Sequence, residues 1–169
     1  MDQTKQPALL ALCRVLAAEH TPYAIIGGLA LQVHHREPRT TLDIDVAVLG
    51  RDAIPRDALR GSGFEFGAAF EHSENWASQD GTPVQFTDDP ALAQAVARAE
   101  ELLLEGVQLR VIRLEDLLHE KLRAGSDPGR RRSKRLQDLA DVHALLEEKP
   151  DLVRELTPEE TAFLDTFPG

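Results

Sequence analysis

The sequence predicts an α+β fold, in which a small mixed sheet with flanking helices precedes a helical C-terminal part. Short β-branched runs, YAII (23–26) and LDIDVAVL (42–49), alternate with helical patterns in the first two thirds of the chain. Beyond residue 112 the apolar residues recur only at helical spacing. We therefore expect an α/β core over residues 1–112, with a helical part over 113–169 packed on it as a single compact unit.

Glycine and proline divide the chain into its predicted elements. A first helix over residues 7–19 has a proline near its start, and the strand 23–26 ends at Gly27 and Gly28, where a second helix begins. The pattern ELLLEGVQLRVI (101–112) predicts a hairpin that turns at Glu105–Gly106. Further strands are expected between residues 64 and 89, and helices at 113–124, 133–149 and near 157–165.

Composition and charge exclude several classes of protein. The net charge of −10 argues against a general nucleic-acid coat or a protein that binds anionic membranes, and no apolar run is long enough to span one. The single cysteine, Cys13, excludes an internal disulfide, so we expect a cytoplasmic protein and a small core residue at this position. The basic segment GRRRSKR (129–135) is either a solvated linker or a local site for phosphates or RNA.

Two aspartates interrupt the apolar run RTTLDIDVAV (39–48). Side chains alternate along a strand, so Asp43 and Asp45 share one face while Ile44 and Val46 share the other. Carboxylates separated by roughly 6.6 Å along a strand repel each other. A solvated face tolerates such a pair, and a divalent cation such as Mg²⁺ would bind it, with nucleotide phosphates completing the coordination. The D-x-D pattern alone leaves both interpretations open.

The two glycines before the second helix suggest a phosphate site. Glycine lets a backbone approach a ligand closely, and the start of a helix presents free N–H groups to an anion. IIGGLAL (25–31) lacks the Gly-Lys-Ser/Thr of a Walker loop and also the G-x-G-x-x-G pattern. Taken alone, it is equally consistent with a plain strand-to-helix turn.

Charged residues also fall on predicted packing faces of the helical part. Lys121 lies in the middle of an apolar stripe, so it either extends its ammonium to water or reaches a buried anionic site. In the following helix Arg135 and Asp138 fall inside the predicted inner sector, and Asp141 falls just outside it. The simpler alternative for Arg135 and Asp138 is a local ion pair. That sector is defined by Leu136, Leu139, Val142 and Leu146.

Together these motifs resemble the signature of the nucleotidyltransferase superfamily that includes DNA polymerase β. The greatest similarity is to its AbiEii-like toxins and other minimal bacterial members, whose Arg-x-Ser/Thr-x-Asp-x-Asp pattern fits Arg39, Thr41, Asp43 and Asp45. Their later motifs, a helical lysine and an Arg-x-x-Asp-Leu-x-Asp helix, fit Lys121 and RLQDLADV (135–142). The resemblance covers about residues 25–146.

The resemblance implies a nucleotidyltransferase-like fold and Mg²⁺-dependent transfer of a nucleotidyl group from an NTP to an acceptor hydroxyl. It further implies an RNA end, notably that of a tRNA, as the acceptor, with a protein hydroxyl or a small molecule as the alternatives, and an antitoxin protein as a possible partner. The implied catalytic residues are Asp43, Asp45, Lys121 and Asp138, of which Asp43 and Asp45 bind the metal; the implied nucleotide-binding residues are Gly27, Gly28, Arg39, Thr41 and Arg135.

One position departs from the superfamily pattern. Many members supply a third carboxylate from a later strand, and the matching residue in PVQFTD (83–88) is Gln85, although Asp88 or Asp89 could reach in from the strand end. This leaves a second hypothesis, a catalytically weakened or inactive relative that binds a nucleotide or a partner. A third hypothesis is plain RNA binding through residues 129–135.

Overall fold

The computed structural model describes residues 6–34 and 43–166. It contains two compact units, and the boundary between them falls between Arg113 and Leu114. The unit before this boundary, called the sheet unit below, combines strands and helices, whereas the helical unit after it contains helices alone. The α+β class is therefore confirmed, and the packing of the helical part on the core stays a prediction.

The elements follow the order expected from the sequence. The sheet unit contains α1 (Gln6–Ala18), β1 (Tyr23–Ile26), α2 (Gly27–His34), β2 (Ile44–Val48), α3 (Arg56–Gly61), β3 (Glu65–Ala69), β4 (Ser73–Ala77), β5 (Pro83–Thr87), α4 (Ala93–Ala97), β6 (Glu100–Leu104) and β7 (Val107–Val111). The helical unit contains α5 (Leu114–Ser126), α6 (Arg132–Glu148) and α7 (Pro158–Asp165). The hairpin β6–β7 turns at Glu105 and Gly106, which both have positive φ as such a tight turn requires.

The seven strands form one sheet in the order β3-β4-β5-β2-β1-β7-β6. Strand β2 is central: it pairs antiparallel with β1 and parallel with β5. Strands β1 and β7 are also parallel, and the remaining pairs are antiparallel, so the sheet is mixed as predicted. The central position of β2 places the D-x-D pattern in the middle of the sheet.

Helices cover the sheet, and their apolar faces pack against it to form the core. Helix α1 packs against β7 and α3, and α2 packs against β1 and β2. Cys13 on α1 is fully buried, and this burial raises the pKa of its thiol to about 11, which makes it a poor nucleophile. Trp76 on β4 is also buried, so both residues belong to the core as expected.

A buried ion pair stabilises the apolar face of β4. The side chain of Glu74 is 2% exposed, and its two oxygens accept hydrogen bonds from the guanidinium of Arg56 at 2.9 and 2.8 Å. Oε1 of Glu74 also accepts a hydrogen bond from Nε1 of Trp76. Burial raises the pKa of the Glu74 carboxyl, but the hydrogen bonds from Arg56 and Trp76 outweigh it, and the pKa is lowered overall.

The helical unit is built on the close approach of α5 and α6. A Cβ atom added to Gly125 of α5 would lie 2.8 Å from Cδ2 of Leu139 of α6, so any larger residue would force the Leu139 side chain to shift. Helix α7 begins with a capping box between Thr157 and Glu160, and Nδ1 of His119 on α5 lies 2.8 Å from the Glu160 carboxylate. Among the described helices, none has the length and apolar character needed to cross a membrane.

Replacing Glu74 by glutamine tests the buried pair through its pH dependence. A lowered folded-state pKa stabilises the protein above the ordinary carboxyl pKa, and this stability is lost as the pH falls through the folded value. We expect Glu74→Gln to lower the free energy of unfolding at pH 7 by about 1.5–3 kcal/mol and to flatten its decline in acid. Urea unfolding between pH 7 and 3, followed by circular dichroism, measures both. The exposed-residue variant Glu65→Gln should keep the wild-type decline, and an equally steep decline in Glu74→Gln would contradict the prediction.

Candidate functional site

A glycine turn joins the end of β1 to the start of α2. Gly27 has a φ of +66°, a left-handed backbone conformation that residues other than glycine rarely adopt. The turn therefore brings the first backbone N–H groups of α2 directly after the last paired residue of β1. Gly28 is buried within the first turn of α2. Such a turn exposes N–H groups that suit phosphate oxygens.

The two aspartates lie on the face of the strand opposite Ile44, Val46 and Val48, as their alternation predicts. Ile44, Val46 and Val48 are buried, whereas Asp43 is exposed directly before β2 and Asp45 is half-buried within it. Asp45 is the register partner of Ile26, the residue that precedes Gly27. The pairing of β1 with β2 therefore brings the glycine turn and the carboxylates together.

Gly27 and Asp45 are in direct contact. A Cβ atom added to Gly27 would lie 2.5 Å from Oδ2 of Asp45 and 3.2 Å from its Cβ. The glycine is thus required for its left-handed backbone and also for the space that its missing side chain leaves to the carboxylate. A phosphate held by the N–H groups of this turn would lie beside Asp45.

Two amide side chains continue the row that Asp45 begins. Gln85 on β5 is the register partner of Asp45, and Asn75 on β4 is the register partner of Gln85. In-register residues on neighbouring strands point to the same face of the sheet, with strands about 4.8 Å apart. The structure therefore places Gln85 at the position expected for a third carboxylate, directly beside Asp45.

The two alternative carboxylates, Asp88 and Asp89, have contacts of their own at the end of β5. Asp89 accepts a hydrogen bond from the backbone N–H of Ala91 and begins a short 3₁₀ helix (Pro90–Leu92). Oδ1 of Asp88 lies 3.4 Å from Nδ1 of His72. Both side chains have local partners at the end of β5.

The donor set fits a magnesium ion that also binds phosphate. Within residues 6–34 and 43–166, no group of three or more His, Cys, Asp or Glu side chains is arranged to hold a metal. Asp43 and Asp45, two positions apart in the chain, would supply oxygen ligands, and Mg²⁺ typically binds one or two carboxylates while water and substrate phosphates complete its octahedron. The adjacent glycine turn is where those phosphates would bind.

The helical unit contains a second charged cluster. Nζ of Lys121 on α5 lies 3.1 Å from Oδ1 of Asp138 and 2.9 Å from Oδ2 of Asp141, both on α6. All three side chains are 6% exposed. Arg130, which is partly exposed, lies 3.0 Å from the other oxygen of Asp138. Two cations thus balance two carboxylates inside this unit, which reduces the cost of burying them.

The cluster confirms the inward position of Lys121 and Asp138 but corrects the predicted face of α6. Asp141 was expected just outside the inner sector, yet it is buried and contacts Lys121. Leu136 was expected inside that sector, yet it is 49% exposed. The buried side of α6 is rotated from the predicted one toward Asp141 and Leu145, because contact with α5 determines which side is covered. The feature of the sequence that pointed to Asp141 is its position as the last aspartate of the motif RLQDLADV.

The remaining predicted site residues have different outcomes. Arg39 and Thr41 lie outside the described residues. Within the described residues of the helical unit, Arg135 forms no ion pair with Asp138; its Nε instead donates a hydrogen bond to the carbonyl of Gly125, in the last turn of α5. Its assignment to nucleotide binding stays a prediction, as do the catalytic roles of the two clusters.

A family model matches most of the chain. The family is described as "Nucleotidyl transferase AbiEii toxin, Type IV TA system", and the match covers residues 57–168. The match lies C-terminal to the glycine turn and the D-x-D pattern, so it is independent of both. A search of curated proteins finds no match to this sequence.

Solved nucleotidyltransferase structures share the fold. An antigenic nucleotidyltransferase-like protein from Paracoccidioides brasiliensis is 20% identical, with 88% of this chain and 90% of that one aligned and a TM-score of 0.59. ANT(2'')-Ia in complex with adenylyl-2''-tobramycin is 15% identical over 99% of this chain and 100% of that one, with a TM-score of 0.57. The lincosamide antibiotic adenylyltransferase LnuA, lincomycin-bound, is 11% identical over 86% and 98%, with a TM-score of 0.56. The nucleotidyltransferase-like fold is thereby confirmed.

Alanine at Gly27 should disrupt the glycine turn more than a left-handed backbone alone explains. Gly81 is the matched control, because its φ is +86° and an added Cβ would meet nothing within 4 Å. We expect Gly81→Ala to destabilise the protein by about 1–2 kcal/mol. Gly27→Ala should cost more than this, because its Cβ also displaces Asp45. Urea unfolding of both variants measures the difference, and equal losses would contradict the contact.

Removing Lys121 should leave its two carboxylates buried without their shared cation. We expect Lys121→Met to destabilise the protein by about 3–5 kcal/mol, the cost of breaking a buried ion pair. Adding Asp141→Asn should recover part of the loss, because it removes one carboxylate that Lys121 no longer neutralises. Lys134→Met, at an exposed position of α6, is the control and should change stability by less than about 0.5 kcal/mol. A loss in Lys121→Met no larger than in this control would refute the charge-balance argument.

Proposed function

Since this chain belongs to the nucleotidyl transferase AbiEii toxin family, we propose that it transfers a nucleotidyl group from an NTP to an acceptor hydroxyl in a Mg²⁺-dependent reaction. The observation that carries this proposal is the contact between Gly27 and Asp45. In this proposal, the contact brings a phosphate-binding turn next to a metal-binding carboxylate.

Four residues of the sheet unit have a role in this proposal: Gly27, Gly28, Asp43 and Asp45. The N–H groups after Gly27 and Gly28 hold the triphosphate at the start of α2. Asp43 and Asp45 hold Mg²⁺, which when bound neutralises phosphate oxygens and makes the α-phosphorus more open to attack. The central strand β2 carries Asp45 and follows directly on Asp43, and in this proposal it positions both carboxylates so that the attacking hydroxyl and the leaving pyrophosphate can lie in line.

Lys121 and Asp138 are proposed to assist the reaction from the helical unit. Asp138 and Asp141 orient the ammonium of Lys121 and neutralise it while no substrate is bound. In this proposal Lys121 stabilises phosphate charge as it builds, at the expense of one of these two contacts. Asp138 is then the carboxylate that orients Lys121 or accepts a proton from the incoming hydroxyl.

The family description supports a toxin of a type IV toxin–antitoxin system, and we extend it to the acceptor and the partner. We propose an RNA end, notably that of a tRNA, as the acceptor, an antitoxin protein as the partner and the cytoplasm as the setting. A small-molecule hydroxyl is the competing acceptor, since ANT(2'')-Ia, a protein of the same fold, was solved with adenylyl-2''-tobramycin.

Labelling with α-³²P NTPs tests the reaction and its acceptor together. Each of the four NTPs is incubated with total RNA, with tRNA, with an aminoglycoside or with the protein alone, in the presence of Mg²⁺ or EDTA. We expect Mg²⁺-dependent label in the tRNA fraction. Asp43→Asn with Asp45→Asn should reduce this label at least about 10³-fold, because the metal loses both protein ligands.

The control for this double variant is Asp57→Asn, which removes a fully exposed carboxylate from α3. It should label like the wild type. Undiminished labelling by the Asp43 and Asp45 double variant would contradict the assignment of the metal site. Nucleotide binding without any labelling would instead favour the inactive, nucleotide-binding alternative that Gln85 suggests.

A further inference from the structure

We propose that Gln85 makes metal binding depend on the nucleotide. In this proposal the protein alone binds Mg²⁺ weakly and binds it well only together with a triphosphate. The proposal rests on the proposed function, because it concerns the same carboxylates and the same glycine turn. In this proposal the neutral side chain of Gln85 determines that the metal ion binds together with the triphosphate.

The first step is the charge of the row to which Asp45 belongs. Its neighbours in register are Ile26 on β1 and Gln85 on β5, and the next residue along the row is Asn75 on β4. The row therefore carries one carboxylate and two neutral amides. A neutral amide oxygen is a weaker ligand for Mg²⁺ than a carboxylate, so within this row Asp45 is the charged ligand, with Asp43 two residues before it in the chain.

The second step is the position of the glycine turn that is proposed to bind phosphate. Gly27 contacts Asp45, so a triphosphate at this turn would bring its negative charge next to the Asp45 carboxylate. Without a cation these charges repel each other, and without the triphosphate the cation lacks most of its anionic ligands. Each ligand therefore supplies what the other needs, and by linkage each must raise the affinity of the other by the same factor.

The third step is the exposure of Gln85. Its side chain is exposed, whereas its neighbours Val84 and Phe86 are buried. A glutamate at this position can therefore keep the fold while it adds a third carboxylate beside Asp45. The dependence on nucleotide should be lost when that change is made.

The experiment measures binding rather than activity, with Mn²⁺ as the probe that EPR detects. Wild-type protein is titrated with Mn²⁺ alone. Separately, binding of each α,β-methylene nucleoside triphosphate is measured by calorimetry with Mn²⁺ and with EDTA. We expect no saturation by Mn²⁺ alone at millimolar concentration, and we expect Mn²⁺ to tighten binding of the preferred nucleotide roughly 5- to 150-fold.

The variants test Gln85 directly. Gln85→Glu should bind Mn²⁺ without nucleotide, roughly tenfold or more tightly than the wild type. Adding Asp45→Asn should abolish this gain. Gln85→Asn keeps a neutral amide and should behave like the wild type. Circular dichroism checks that each variant is folded.

The outcomes separate this inference from the proposed function. Saturation of the wild type by Mn²⁺ alone, as tight as with nucleotide, would overturn the inference and leave the proposed function intact. No gain in folded Gln85→Glu would overturn it as well. If none of the four nucleotides binds with Mn²⁺, the proposed function fails and this inference fails with it.

Discussion

The register of β2 between β1 and β5 is the constraint on which the candidate site depends. Because side chains alternate along a strand, a slip of one residue would turn Asp45 into the core and Ile44 out to solvent. The burial of Ile44 and Val46 opposes such a slip, since a carboxylate in their place would lack a partner. The apolar face of the strand therefore holds the polar face in position, and the contact between Gly27 and Asp45 follows from that register.

Both units bury carboxylates, and in both the charge is balanced locally. Glu74 is bound by Arg56 in the sheet unit, and Asp138 and Asp141 are bound by Lys121 in the helical unit. Replacing a buried ion pair with apolar residues of similar volume is often neutral or stabilising. Stability alone therefore does not explain why these charges are retained. In the helical unit they coincide with the helical motifs by which the sequence resembles a nucleotidyltransferase, which favours a functional role for Lys121.

Sequence alone could predict the parts of the site that depend on local patterns. Strand alternation places Asp43 and Asp45 opposite the core, and the helical wheel turns Lys121 inward; the structure confirms both. The same wheel was wrong for Leu136 and Asp141, because the face that α6 buries is decided by its contact with α5. The contact of Gly27 with Asp45 and the pairing of Glu74 with Arg56 join distant segments, and they become visible only when the strands are paired.

The two clusters differ in the exposure of their carboxylates. In the helical unit, two cations already compensate Asp138 and Asp141, and the side chains of both aspartates are buried. On the sheet, Asp43 is exposed, Asp45 is half-buried, and the residue directly beside Asp45 is a neutral amide. A carboxylate at position 85 would add like-charge repulsion between the paired strands β2 and β5, through which β3 and β4 are attached to the sheet. Gln85 avoids that repulsion in the unliganded protein. In the proposed reaction its cost would be a weaker metal site, and a triphosphate at the adjacent glycine turn would supply the missing charge.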